Sequence, residues 1–143
     1  MRESGPRPSL DRPPRVLVVD DEPGTTRALS GLLAGEGFEV VGEAHSGEDA
    51  LALVPRCAPE VVLMDLRMPG MDGIQATRAI RERFPAIEVV ILTIYDDPDL
   101  GTSAEVAGAF CYLVKGCAPS LIRDVLTQAA RHAREGSAAG RSA

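Results

Sequence analysis

Three aspartates, a threonine and a lysine stand at the ends of short apolar segments that are typical of buried β-strands. Asp20 and Asp21 follow the segment RVLVV, Asp65 follows VVLM, Thr93 closes VVILT, and Lys115 follows YLV. The carboxyl ends of parallel strands meet at one edge of a sheet, so we expect these side chains to lie close together. Carboxylates within a few ångströms of one another repel and raise each other's pKa unless a cation intervenes. Their hard oxygen atoms suit Mg²⁺, which uses only a few protein ligands.

Lys115 is the only lysine of the chain, and the other fourteen basic residues are all arginines. A phosphoryl-transfer site needs a carboxylate nucleophile, a divalent cation, a positive point charge and a hydroxyl or amide donor. The candidates for these four roles are, in the same order, Asp65, Mg²⁺, Lys115 and Thr93. For any one of these residues alone, a solvated or helix-capping role is the simpler interpretation. Their combination at one predicted edge favours phosphoryl-transfer chemistry.

The elements that must position these residues alternate along the chain. Apolar runs rich in β-branched residues predict strands at 16–19, 39–43, 61–64, 89–92 and 110–114. Apolar residues at helical spacing predict a helix after each strand, with inward-facing sets Ala28/Leu29/Leu32/Leu33, Ala50/Leu51/Val54, Ile74/Thr77/Ile80/Phe84, the segment 98–107, and Leu121/Ile122/Val125/Leu126/Ala129. This alternation predicts a doubly wound, flavodoxin-like α/β fold: a five-stranded parallel sheet with five helices.

Composition limits the domain count and the classes of function. The 143 residues suffice for one domain with a hydrophobic core. Residues 1–14 are rich in proline and predict a disordered arm, 15–134 form the predicted domain, and 135–143 read as a linker-like tail. The net charge of -6 disfavours binding to nucleic acid or to an anionic membrane surface. With no membrane-length apolar segment and no signal peptide in the sequence, we expect a cytoplasmic protein.

The motifs VLVVDDEP, VVLMDLRMPGMDGIQATRAIR, VVILT and YLVK resemble, in combination, the receiver domain of bacterial two-component response regulators. The resemblance runs from about Arg15 to Arg134. The segments LTIYDD and YLVKG are most similar to the subfamily that usually carries a C-terminal helix-turn-helix output domain. Beyond residue 134 too little sequence remains for such a domain, so a stand-alone receiver and a piece of a longer protein both stay open.

The resemblance implies a role for each residue of the predicted edge. Asp65 would be the phosphoacceptor and, with Asp21, a direct Mg²⁺ ligand, while Asp20 would assist. The backbone carbonyl of Arg67 would be a further Mg²⁺ ligand, and Lys115 would contact the phosphate. Thr93 would supply the switch hydroxyl, and Tyr112 would be the switch aromatic. A packed core tyrosine is the alternative for Tyr112.

Four positions qualify the resemblance. Gly116 stands where many receivers have proline, so a cis-proline is excluded there. Ile94 follows Thr93 where a small residue is common, so its bulk is expected to hinder phosphate access or alter the switch. Arg67 and Tyr95 occupy the positions that tune dephosphorylation in the family, and their size predicts restricted entry of water.

The resemblance also implies partners and leaves rivals open. A sensor histidine kinase would donate the phosphoryl group, and an output domain or partner protein would respond, with homodimerisation on phosphorylation as an open alternative. The domain would not be an enzyme in its own right. A Mg²⁺-dependent phosphohydrolase is disfavoured because Arg67 stands where its second aspartate is expected, and a nucleotide-binding protein because no glycine-rich phosphate loop is present. The remaining rival is a receiver-like interaction module that works without phosphorylation.

Overall fold

The computed structural model of the chain describes residues 12–142. In that range, five strands alternate with five helices, and each strand lies within one residue of its predicted bounds at either end. The elements are β1 (Arg15–Val19), α1 (Pro23–Gly35), β2 (Glu39–Ala44), α2 (Gly47–Cys57), β3 (Val61–Met64), α3 (Gly73–Arg83), β4 (Glu88–Thr93), α4 (Pro98–Ala107), β5 (Cys111–Val114) and α5 (Pro119–Ser142).

The strands form one parallel sheet in the order β2-β1-β3-β4-β5. From β1 the chain first moves outward to β2 and then returns to the other side of β1 to form β3. The order therefore reverses between β1 and β3, which opens a crevice at the carboxyl ends of these two strands. The predicted doubly wound α/β fold is confirmed, and its crevice lies where Asp20, Asp21 and Asp65 follow their strands.

Both faces of the sheet are covered by helices. Successive residues of a strand point to opposite faces, so Val16 and Val18 pack with α1 and α5, while Leu17 and Val19 pack with α2, α3 and α4. All four side chains are at most 2% exposed. Burial on both faces explains why the strands consist of nearly continuous apolar residues.

Two helices bury narrower apolar stripes than the sequence predicts. On α1, Leu33 is 1% exposed, whereas Leu32 is 37% exposed and Ala28 is also exposed. On α5, Ile122 is 6% exposed, whereas Leu121 is 44% exposed. Neighbouring residues of an α-helix point about 100° apart, and in these two pairs the helix rotation turns Leu32 and Leu121 towards solvent while Leu33 and Ile122 face the sheet. The inward assignments of Ala28, Leu32 and Leu121 are therefore wrong.

Helix α5 runs to Ser142, beyond residue 134, where the sequence analysis places the end of the domain. Near that point the guanidinium of Arg134 donates to the carbonyls of Arg12 and Pro13, each at 3.3 Å. Residues 1–11 of the predicted arm lie outside the described residues. Within the described range, no helix combines the length and the apolar character needed to cross a membrane.

Two carboxylates at the amino ends of β3 and β4 tie α5 to the sheet. Glu60 forms a bidentate ion pair with Arg134, whose Nη2 lies 3.0 Å from Glu60 Oε1. Glu88 lies 2.7 Å from His132 Nδ1 of α5 and 3.6 Å from Arg81 Nη1 of α3. Because α3 and α5 cover opposite faces of the sheet, Glu88 contacts both helical layers. We call these two groups of contacts the amino-edge clamp.

The pKa of Glu60 shows that the ionised carboxylate stabilises the fold. Burial alone would raise this pKa, but hydrogen bonds from Arg134 and from the backbone N–H of Arg15, with the charges of Arg134 and Arg12, hold it below its usual range. A folded-state pKa below the unfolded value means that the stabilisation is fully present above about pH 4.3. It is lost as the pH falls through the folded-state pKa.

We therefore expect Glu60→Gln to lower the free energy of unfolding by about 1–3 kcal/mol at neutral pH, because Arg134 loses its charged acceptor. Urea unfolding at several pH values measures this change. The difference between wild type and variant should shrink on acidification. Glu36→Gln is the control, since Glu36 forms an exposed pair with Arg123, and it should change stability by less than about 0.5 kcal/mol. Equal losses in the two variants would contradict the role of the clamp.

Candidate functional site

The end of β1 delivers two carboxylates to the crevice in different environments. The backbone N–H of Asp20 donates to the carbonyl of Ala44 at 3.1 Å, which extends the pairing with β2 by one residue. The Asp20 side chain is buried, and its Oδ1 accepts a hydrogen bond from the backbone N–H of Glu22 at 3.0 Å. Asp21 is exposed at the mouth of the crevice. One carboxylate is thus fixed by the fold, and the other remains open to solvent.

Asp65 enters the same crevice from β3. Its backbone N–H donates to the carbonyl of Val19 at 2.9 Å, and its Oδ1 accepts from the backbone N–H of Leu66 at 2.8 Å. One carboxylate oxygen from each of Asp20, Asp21 and Asp65 lies within 4.8 Å of the others. Three hard oxygen donors at this spacing fit a divalent cation such as Mg²⁺, which completes its shell with water.

Lys115 brings a positive charge to these carboxylates. Its Nζ lies 2.8 Å from Asp20 Oδ2 and 3.8 Å from Asp65 Oδ2. Its backbone N–H donates to the carbonyl of Thr93 at 2.6 Å, so the pairing of β5 with β4 fixes where the side chain begins. The single lysine of the chain therefore lies where the sequence predicts it, beside the carboxylates.

Opposing influences act on the ionisation of Asp65. Burial is the largest of these and raises its pKa; the charges of Asp20 and Asp21 raise it further, while Lys115 and the Leu66 N–H lower it. The net result is a pKa above the usual range of an aspartate. A cation bound among the three carboxylates would favour the ionised, nucleophilic form.

Thr93 and Tyr112 are linked through the backbone of Tyr95. Thr93 is fully buried, and its Oγ1 accepts a long hydrogen bond of 3.4 Å from the Tyr95 N–H. The Tyr112 hydroxyl donates to the Tyr95 carbonyl. Burial raises the pKa of the Tyr112 phenol, as do the carboxylates of Asp97 and Asp96, so this hydroxyl remains a donor at neutral pH.

Arg67 and Tyr95 connect two of the loops at the carboxyl ends of the strands. The Arg67 guanidinium carbon lies 4.7 Å from the centroid of the Tyr95 ring, which is a cation–π contact between the loop after β3 and the loop after β4. Ile94, which stands between Thr93 and Tyr95 in the sequence, is 64% exposed. Most of its side chain therefore lies in solvent.

Gly73 packs against the end of β3 and was not singled out by sequence reasoning. A Cβ at this position would lie 2.1 Å from the backbone carbonyl oxygen of Asp65. The Gly73 N–H donates to the carbonyl of Leu66 at 2.8 Å, and the Asp72–Gln75 capping box begins α3 at the same place. The sequence signal is the Asp-Gly pair before the third helix, where close backbone approach requires the smallest residue.

The family model of the response regulator receiver domain matches residues 16–127. The chain therefore belongs to the response regulator receiver family and is a receiver domain. It is 43% identical over 103 residues to the response regulator GacA of Pseudomonas aeruginosa, an alignment that covers 71% of this chain and 48% of GacA. The chain thus spans about half the length of this relative.

Solved structures agree with this assignment. The receiver domain of a NarL response regulator from Mycobacterium tuberculosis is 34% identical with a TM-score of 0.76, covering 82% of this chain and 97% of that one. A chain of the CheX–CheY–BeF3–Mg²⁺ complex from Borrelia burgdorferi is 26% identical with a TM-score of 0.77, covering 83% and 90%. The resemblance inferred from the sequence motifs is confirmed.

We expect Gly73→Ala to lower the free energy of unfolding by about 3 kcal/mol, because the added methyl group meets rigid backbone and not a flexible side chain. Chemical denaturation provides the measurement. The matched control is Gly31→Ala in α1, where a Cβ meets no atom within 4 Å. That variant should be up to about 1 kcal/mol more stable than wild type. A loss at Gly73 no larger than the change at Gly31 would show that the loop adapts to the methyl group.

Proposed function

We propose that this receiver domain accepts a phosphoryl group on Asp65 from a sensor histidine kinase in the cytoplasm, with Mg²⁺ as cofactor. Phosphorylation then acts on an output domain or a partner protein. The observation that carries the proposal is the position of Lys115 Nζ, 2.8 Å from Asp20 and 3.8 Å from Asp65. A cation held among carboxylates in a crevice is suited to binding the anionic phosphoryl group between them.

The proposed reaction is a transfer between two nucleophiles. A carboxylate oxygen of Asp65 attacks the phosphorus of the kinase phosphohistidine, the P–N bond breaks, and the imidazole leaves and takes up a proton from solvent. The product is an aspartyl phosphate. Lys115 neutralises charge on the phosphoryl oxygens and thereby loses part of its attraction to Asp20. Bound Mg²⁺ would supply the remaining countercharge at Asp20, Asp21, Asp65 and the Arg67 carbonyl.

The same residues distinguish this proposal from its rivals. The domain accepts a group and is itself modified, so it acts as a signalling component and not as an enzyme with an independent substrate. An interaction module that works without phosphorylation would have no requirement for a cation beside Asp65. The presence of Asp20, Asp21, Asp65, Thr93 and Lys115 around one crevice favours the phosphoacceptor function.

We further propose that Thr93 and Tyr112 transmit the change. A phosphoryl group on Asp65 would attract the Thr93 hydroxyl and weaken its long bond to the Tyr95 N–H. Tyr112 is bonded to the carbonyl of Tyr95, so a shift of Tyr95 also reaches Tyr112. The change would shift a two-state equilibrium of the loop after β4 and of α4.

Asp65→Asn should abolish phosphorylation. Incubation with acetyl phosphate and Mg²⁺, followed by intact-mass measurement, should show one added phosphoryl group on wild type and none on the variant. Asp124→Asn, which changes an exposed carboxylate on α5, is the matched control and should be labelled like wild type. Full labelling of the Asp65 variant would place the phosphoacceptor elsewhere, and absence of labelling in wild type would favour the interaction module.

Mg²⁺ should raise the melting temperature of the wild type by about 2–6 °C at saturation, because it binds the folded state and relieves repulsion among the three aspartates. Asp21→Ala should lose most of this shift, since Asp21 is the exposed member of the cluster. Thermal denaturation in Mg²⁺, compared with NaCl of equal ionic strength, measures the effect. Asp124→Asn should keep it. An identical shift in the Asp21 variant would show that Mg²⁺ acts at another position.

A further inference from the structure

Helix α1 begins without the side-chain cap that three other helices have. The carbonyl of Glu22 accepts from the backbone N–H groups of Thr25 and Thr26 at 3.0 and 3.2 Å, but the Glu22 side chain caps no N–H of the first turn. The first turns of α2, α3 and α4 are capped by the side chains of Ser46, Asp72 and Asp97. A helix start without a cap is less stable than a capped one. The first turn of α1 therefore depends on other contacts.

The position of this turn matters for the carboxylates of the crevice. The backbone N–H of Glu22 donates to Asp20 Oδ1 at 3.0 Å, and α1 begins directly after Glu22. Asp21 lies between these two residues in the sequence. A shift of the first turn would therefore move the donor that orients the Asp20 carboxylate, together with the backbone that carries Asp21.

A buried hydroxyl joins this turn to the loop after β2. Thr26 is 0% exposed, and its Oγ1 lies 2.9 Å from the carbonyl oxygen of Pro23 and 3.2 Å from His45 Nε2. His45 directly follows Ala44, whose carbonyl accepts from the backbone N–H of Asp20 at 3.1 Å. Two consecutive residues at the end of β2 thus hold both ends of the segment 20–26.

The two contacts of Thr26 determine the tautomer of His45. A hydroxyl carries one hydrogen, and a carbonyl oxygen can only accept. The Thr26 hydroxyl therefore donates to the Pro23 carbonyl, and His45 Nε2 must carry the hydrogen that it donates to Thr26 Oγ1. In the opposite tautomer, Nε2 and the Pro23 carbonyl would be two acceptors that compete for the one hydrogen of Thr26.

The backbone of His45 is held in place by the start of α2. Its N–H donates to Asp49 Oδ2 at 3.3 Å, and the N–H of Asp49 donates to Ser46 Oγ at 3.0 Å. His45 is exposed, so its ring is not fixed by burial in the core. The capped start of α2 therefore supports the histidine that contacts the uncapped start of α1.

We propose that His45 is a positioning residue for the Mg²⁺ site: its Nε2–H holds the buried Thr26 hydroxyl and thereby fixes the segment that carries Asp20 and Asp21. The inference rests on the proposed function, because it concerns the cation bound by these carboxylates. Among the described residues, the cluster of possible metal ligands does not include His45. His45 acts by ordering the ligands before the cation binds, which lowers the entropy cost of binding.

Nuclear magnetic resonance of the Mg²⁺-free chain tests the hydrogen bond itself. In mildly alkaline buffer, where imidazole rings are neutral, the nitrogen chemical shifts should place the ring hydrogen of His45 on Nε2. His132 is the internal control: its Nδ1 lies 2.7 Å from the carboxylate of Glu88, which accepts when ionised, so its hydrogen should be on Nδ1. His45→Gln assigns the signals. A hydrogen on Nδ1 of His45 would overturn the proposal.

Calorimetric titration with Mg²⁺ tests the positioning role. His45→Asn, whose amide is too short to reach Thr26, should raise the Kd for Mg²⁺ about fivefold. His45→Gln places an amide N–H near the position of Nε2 and should restore the Kd to within about twofold of wild type. His132→Gln, at the amino edge of the sheet, is the matched control and should keep the wild-type Kd whatever its melting temperature. An unchanged Kd in His45→Asn would contradict the proposal.

Thr26→Val completes a double-mutant cycle, because valine keeps the shape of the side chain and lacks the hydroxyl. Thr26→Val alone and Thr26→Val combined with His45→Asn should weaken Mg²⁺ binding by the same factor, since the second change removes a bond that is already lost. Additive losses in the double variant would show that the two residues act independently and would refute the proposed contact.

The titrations also separate this inference from the proposed function. A wild type that binds no Mg²⁺ refutes the metal site and, with it, the role of His45. A wild type that binds Mg²⁺ with the same Kd as His45→Asn refutes the role of His45 alone. Phosphoryl acceptance by Asp65 is measured separately, by intact mass.

Discussion

The repulsion among three carboxylates in one crevice is the constraint around which this domain is arranged. Asp20, Asp21 and Asp65 lie close together because β1 and β3 are neighbours and end at the same level of the sheet. Such a cluster is unfavourable unless positive charge is nearby. Lys115 provides part of that charge from the end of β5, at the far edge of the sheet. The lysine thus reaches across the end of β4 to carboxylates carried by β1 and β3.

The contacts around the crevice extend this constraint to the loops. Tyr95 lies at their centre: its backbone contacts Thr93 and Tyr112, and its ring contacts Arg67. A change at the end of β3 or β4 can therefore reach β5 through one residue of the intervening loop. On the opposite side, Gly73 holds the carbonyl of Asp65 against the start of α3, where no larger residue fits. The end of β3 is thus packed tightly against the start of α3.

The sequence predicts those features that depend on local pattern. Strand positions follow from short apolar runs, and the residues of the crevice follow from the ends of those runs, so the fold, the family and the neighbours of Asp65 could be inferred without a structure. Helix rotation could not be inferred in the same way, because Leu32 and Leu33 are equally apolar and only packing decides which faces the sheet. The pair of Glu60 with Arg134 joins residues 74 positions apart and has no local signature. The Asp-Gly pair before α3 is a local signal for Gly73. Glycine is required there, however, because the backbone carbonyl of Asp65 passes too close to admit a Cβ.

The amino-edge clamp has an architectural consequence. Arg134 donates to the carbonyls of Arg12 and Pro13 and to the carboxylate of Glu60. The segment that precedes β1 therefore lies beside the part of α5 around residue 134. The entry to β1 and this part of α5 therefore lie at one edge of the folded unit, and the crevice that holds Asp20, Asp21 and Asp65 lies at the opposite edge. A unit with this geometry can be inserted into another polypeptide, or have its ends joined and reopened elsewhere, with little disturbance of its chemistry. The start of β1 and the part of α5 around Arg134 are thus spatially separate from the carboxylate crevice.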